Sequence, residues 1–158
     1  NPEADARLEG RLASMALRPD LLSACAGPAD FTGGYQVEPN GLDVRQLAFA
    51  VEGDVLRFQL TDSKASHVLE VGIDRWITGT TSMPGRALHH GYEFKDAQIV
   101  AGARWLDTGT LEMTWIYPQT AFRDRVVCEF DRDRVRVART VNVNSAGKEQ
   151  EVLVGRKL

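Results

Sequence analysis

The sequence is poor in the features that mark most specialised proteins. Cysteine is scarce: Cys25 and Cys128 are the two in 158 residues, too few for a disulfide framework. The redox compartment is therefore left open, and Cys128, on the apolar side of a predicted strand, reads as a small core residue. No sign of charge dominates, since 19 Lys and Arg face 22 Asp and Glu for a net −3. That balance argues against a dedicated nucleic-acid-binding protein. No apolar run approaches the ~20 residues of a membrane-spanning helix. Residues 1–18 are charged throughout, unlike a signal peptide, and a first residue other than Met suggests processing or a piece of something longer. Repeats and low-complexity tracts are absent as well.

What is present is the composition of an ordinary globular domain, 43% hydrophobic and 26% charged. A chain of this length is most simply one domain. Its clearest signal lies in residues 97–143, where apolar and polar residues alternate as they do in strands with one buried face. Leu111, Met113, Trp115 and Tyr117 point one way, with Glu112, Thr114 and Ile116 opposite. Phe122, Val126, Cys128 and Phe130 alternate with Arg123, Arg125, Val127 and Glu129. Val135, Val137, Val141 and Val143 do so against Arg134, Arg136 and Thr140. Turn residues separate the runs at 107–109, 117–119 and 131–133.

Earlier in the chain, residues 1–17 predict a helix. Asn1 can cap it, Pro2 suits its first position, and Glu3 and Asp5 suit the positive end of its dipole. Leu8, Leu12 and Met15 form an apolar stripe, and Pro19 stops the helix. The small residues of 20–34 read as a linker or a tightly wrapped connection. Strand patterns follow at 34–39, 44–51, 56–60 and 67–73. Trp76 opens a region broken by Gly79, Pro84 and Gly85; a strand is predicted again over 88–94, with His90, Tyr92 and Phe94 on one side. A last strand is predicted over 151–157. Roughly eight to ten short strands with turns every 8–12 residues indicate an all-β protein. Consecutive strands usually pair and closure removes sheet edges, so an antiparallel up-and-down, lipocalin-like barrel with an N-terminal helix is expected, ahead of a sandwich.

Several fragments, taken in order, resemble a known family. They are Tyr35-Gln36-Val37-Glu38-Pro39-Asn40, His67 with Glu70-Val71-Gly72 and Trp76, and Ala103-Arg104-Trp105 with Thr110-Leu111. Phe122-Arg123-Asp124 and Phe130-Asp131 complete the set. Together, from about Leu8 to Arg156, they resemble the C-terminal domain appended to bacterial serine hydrolases of the class C β-lactamase and penicillin-binding-protein type. The turn 131–133 departs from that pattern in lacking a Gly. The resemblance implies a lipocalin-like barrel over residues 34–158, a connection over 20–33, and a helix or linker over 1–19 leading from an upstream catalytic domain. It implies a non-catalytic accessory domain, structural or controlling substrate access, in a bacterial cytoplasm or periplasm. A stand-alone barrel binding a small apolar ligand is the alternative.

The residues offer several weaker signals. Ser145-Ala146-Gly147-Lys148 has the Ser-x-x-Lys spacing of β-lactamase chemistry, which needs the serine at the start of a helix. Here it lies between two strands, without a Tyr-x-Asn or Lys-Thr-Gly partner, and reads as a hairpin turn. The three histidines, His67, His89 and His90, have no recognised ligand spacing, so neither metal nor cofactor is expected. No Ser-His-Asp triad is assigned, because nothing in the sequence brings its members together. Arg123, Arg125, Arg132, Arg134, Arg136 and Arg139, interleaved with Asp124, Glu129, Asp131 and Asp133, predict cross-strand ion pairs on a solvated face. If the barrel has a cavity, Trp76, Trp105, Trp115, Tyr92, His67 and His90 are the expected lining, although a self-filled core is the simpler expectation.

Overall fold

In the computed structural model one helix precedes ten strands. It describes residues 2–14, 18, 20–93, 96–144 and 146–158, with backbone alone for 2 and 11–14. The predicted roles of Asn1, Met15, Pro19, Phe94 and Ser145 lie outside the described residues, as does the side chain of Leu12. The elements are α1 (Pro2–Ser14), β1 (Gly33–Val37), β2 (Gln46–Glu52), β3 (Val55–Thr61), β4 (Ser66–Ile73) and β5 (Ile77–Thr81). They continue with β6 (Ala97–Trp105), β7 (Thr110–Ile116), β8 (Arg123–Asp131), β9 (Arg134–Val141) and β10 (Leu153–Lys157).

The strands run antiparallel in the order β4-β3-β2-β1-β10-β9-β8-β7-β6-β5. The ring closes where Gly72 and Ile73 of β4 pair in parallel with Gly102 and Ala103 of β6. β5 then takes over the same edge of β6, from Ile77 opposite Ala101 to Thr81 opposite Ala97. Nine strands thus form a closed barrel, and β5 fills the gap where β4 and β6 diverge. The chain is all-β with a single short helix, as expected.

Alternation did its work in the central strands. Leu111, Met113, Trp115 and Tyr117 are all buried in the barrel, as are Val126, Cys128, Val135 and Val137. Val143, expected on that face, is exposed because β9 ends at Val141. The Gly missing from the β8–β9 turn has a visible cost, since Arg132 adopts φ 53°, a left-handed conformation that glycine takes more easily.

Two elements differ from expectation. β5 was not predicted: Ile77-Thr78-Gly79-Thr80-Thr81 buries only Thr81 and so shows no apolar alternation. Residues 88–93, where a strand is expected, form turns and an irregular segment. Leu88 and His89 are consecutive and both buried. They sit on turns closed by Leu88 N–H and His89 N–H donating to the Gly85 carbonyl. Asn144 holds this segment down through its Nδ2, which donates to the carbonyls of Ala87 and Leu88. In α1, Leu8, the stripe residue whose side chain is described, is 58% exposed.

Residues 20–31 form the wrapped connection and stopper one end of the barrel. Ser23 donates from N and Oγ to Asp74 Oδ1 at 2.7 and 2.5 Å, and accepts from Trp105 N–H at 2.9 Å. Gly27 lies so close to the Trp105 indole that an added Cβ would stand 2.1 Å from it. Phe31 then enters the barrel end, its ring 4.9 Å from Trp105 and 5.4 Å from Phe130. Tyr35, Phe49 and Phe58 extend this aromatic packing inward.

Candidate functional site: a cavity at the other barrel end

The opposite end is not filled. A cavity of about 220 Å³ lies between the 62–64 and 82–84 segments and the barrel wall. Phe58, Leu60, Met83, Trp115, Val137 and Leu153 make its apolar surface. Its rim is polar and mostly acidic, with Asp43, Asp62 and Glu151 against Lys64. Asp62 keeps a depressed pKa: burial pushes it up, but the N–H groups of Ala65 and Lys64 and the His67 ring outweigh that.

One strongly polar group stands on the inner wall. Arg139, 7% exposed, donates from Nε and Nη2 to Asp124 Oδ2 at 2.9 and 2.5 Å, and from Nη1 to the Pro84 carbonyl. Its guanidinium lies over the Trp115 ring, 5.0 Å from the centroid. Asp124 is fully buried, and its other oxygen, Oδ1, is 2.7 Å from His89 Nε2. The cluster therefore ties the capping segment to β8 and β9. Gly85 makes the fit possible, because a Cβ there would meet the His89 ring at 2.6 Å and Arg139 Nη2 at 2.7 Å. Next to it, Trp115 Nε1–H donates to the Tyr117 hydroxyl at 3.0 Å. The Tyr117 phenol is pushed up to about 12, mainly by burial and then by the Asp124 carboxylate.

Asp124 and Arg139 correct the expectation of a uniformly solvated charged face. The outer ion pairs do exist, as between Arg136 and Glu129 at 3.0 Å, or between Glu112 and both Arg104 and Arg125 at 2.9 and 2.5 Å. Asp124 and Arg139, however, fall in the inward register. Counting by twos from Phe122 to Phe130, and from Val135 to Val141, places both inside. That count was the available signal; their charge hid it.

The predicted lining residues separate. Trp115 lines the cavity. Trp105 packs in the stoppered end, and Trp76 lies half-buried on the outside of the barrel, in a groove with Leu21 and Arg104. Tyr92 is 63% exposed, and His90 is exposed while its neighbour His89 turns inward. His67 stands at the rim between Asp62 Oδ2 and Ser82 Oγ, 3.3 Å from each. These contacts are long, and with Thr81 Oγ1 donating to the Val68 carbonyl they clip β4 to β5. Cys25 and Cys128 are free thiols; burial inside the barrel pushes the Cys128 thiol up. Among the described residues, no group of three His, Cys, Asp or Glu side chains is placed to hold a metal ion.

No protein-family model matches the sequence, and no curated protein does. The structure, by contrast, is similar to several solved ones. A Schistosoma mansoni fatty acid binding protein in complex with arachidonic acid is 12% identical, with a TM-score of 0.59 over 84% of this chain and 99% of that one. Fatty-acid-binding protein 1 of Echinococcus granulosus is 9% identical, with a TM-score of 0.56 over 81% and 97%. A secretory abundant heat soluble protein from Ramazzottius varieornatus is 10% identical, with a TM-score of 0.57 over 89% and 100%. None of these three is a hydrolase domain. At such identities the likeness is one of fold, and the chain has the closed β-barrel fold of the fatty-acid-binding and lipocalin-like proteins.

Proposed function

We propose that this barrel is a binding module for one small, largely apolar molecule, held in the end cavity against Trp115. The observation that carries the reading is the contrast between its two ends. Aromatic rings pack one end solid, while the other keeps about 220 Å³ lined by apolar side chains beside a single buried cation. Ligand sites have that composition: apolar walls with a few placed polar groups. The similarity to a barrel solved with arachidonic acid supports the reading at the level of fold. The volume is below the roughly 300–1,000 Å³ typical of drug-sized ligands. A single ring or short chain fits; a long acyl chain requires the 82–92 segment to move.

Calorimetric titration of the full chain with ethylbenzene and acetophenone tests this. Saturable one-to-one binding is expected, lost in Val137→Trp, which fills the cavity while leaving the circular dichroism unchanged. Absence of binding to the unmodified chain, or binding that survives Val137→Trp, refutes the site.

The exposure of α1 favours a second reading, in which the barrel is one part of a longer protein. An amphipathic helix with Leu8 58% exposed has an apolar side for a neighbouring unit to cover. The resemblance to C-terminal domains of serine hydrolases supplies a candidate neighbour, for which the barrel is an accessory domain. A Ser-x-x-Lys catalytic domain encoded upstream in the same reading frame supports this; a frame without one removes it.

A further inference from the structure

The cavity carries information about the polarity of its occupant. A guanidinium has five N–H donors. In Arg139, three are used: Nε and Nη2 on Asp124, and Nη1 on the Pro84 carbonyl. The two that remain belong to Nη1 and Nη2, on a side chain that forms part of the cavity wall. Below the polar rim, Arg139 stands in a wall whose apolar surface is made by Phe58, Leu60, Trp115, Val137 and Leu153. Resting on the reading of this cavity as a ligand site, we propose that Arg139 is a specificity-determining residue. Its ligand carries a neutral carbonyl acceptor, as in a ketone, ester or amide, rather than a carboxylate.

Two independent features exclude the carboxylate. The positive charge of Arg139 is already matched by Asp124, which is fully buried and bonded twice to it. A ligand carboxylate would be a second anion set against one guanidinium in a dry wall, where an unmatched charge is costly. The way in is also unfavourable, because Asp43, Asp62 and Glu151 outnumber Lys64 around the rim. A neutral carbonyl accepts the remaining N–H groups without adding charge. A pure hydrocarbon fits the walls but strips water from those donors without replacing it.

Acetophenone, benzoate and ethylbenzene share a ring and differ at the group that would meet Arg139. Titrated into the full chain at about pH 8, acetophenone should bind roughly tenfold or more tightly than either of the others. It should also shift the Arg139 Nε–H resonance in the nitrogen-proton spectrum. In Asp124→Leu/Arg139→Met, which replaces both members of the ion pair with apolar groups, acetophenone and ethylbenzene should bind alike. Should that variant fail to fold, the resonance shift in the unmodified chain decides. Equal binding of all three compounds, or a preference for benzoate, overturns the inference while leaving the binding module standing. A preference that persists in the double variant, or an Arg139 resonance unmoved by bound acetophenone, overturns it too. If none of the three binds, the binding module and this inference fall together.

Discussion

At the scale of single residues, what distinguishes this barrel is a set of polar groups held where apolar ones are expected. Asp124, Arg139 and His89 are buried together, and each ion or ring has a partner at hydrogen-bond distance. Such clusters add little net stability compared with an apolar core, but removing one member strands the others. The tyrosines make a related point. Tyr35 and Tyr117 both have phenols raised to about 12, Tyr35 by burial with a contribution from Asp30. A raised phenol pKa means that the fold favours the neutral form. That stability is complete below the unfolded value near 10 and is lost as pH rises through about 12. For Tyr117 the loss is on the order of 2 kcal/mol. The urea midpoint should therefore hold steady to about pH 9.5 and fall between roughly 10 and 12, with a shallower fall in Tyr117→Phe. Identical profiles for the two proteins would show that Tyr117 does not sense the interior as described.

At the scale of elements, β8 and β9 were legible because each has one wet and one dry face. Period-two alternation in 123–141 is the direct imprint of that asymmetry. Where the physical situation differs, the imprint fades. β5 plugs a gap with Thr and Gly and has no apolar face to reveal. The capping turn around His89 was expected as a strand with His90, Tyr92 and Phe94 on one side, yet its shape comes from the left-handed His90 and Gly91 and from Asn144, far along the chain. The candidate site was half legible. Trp115 follows from alternation, whereas the ion pair beneath it needed the register to be trusted over the charges. α1, by contrast, is expected over 1–17 and present over Pro2–Ser14. Since Leu8 and the rest of residues 3–10 are exposed, deleting residues 1–10 removes little buried surface from that stretch. Its melting temperature should stay within about 2 °C of the full chain, as for changes confined to the surface. A drop of roughly 5 °C or more would place the helix against the barrel after all.

At the scale of the whole molecule, the barrel is asymmetric along its axis. Residues 20–31 stopper one end with Phe31 packed edge-on against Trp105 and Gly27 close against the same indole. The other is roofed by a segment held through Asn144 and through the Arg139 bond to Pro84, with the cavity beneath it. A closed sheet supplies a rigid wall, so binding at the roofed end need not disturb the strands. The claim that the cavity is a ligand site can be tested by position rather than by affinity. Bromobenzene diffused into crystals of the full chain can be located from the anomalous scattering of its bromine. The account predicts a bromine peak inside the barrel, bounded by Phe58, Trp115 and Val137. A peak confined to the outer groove beside Trp76 and Leu21, with the barrel end empty, would contradict it.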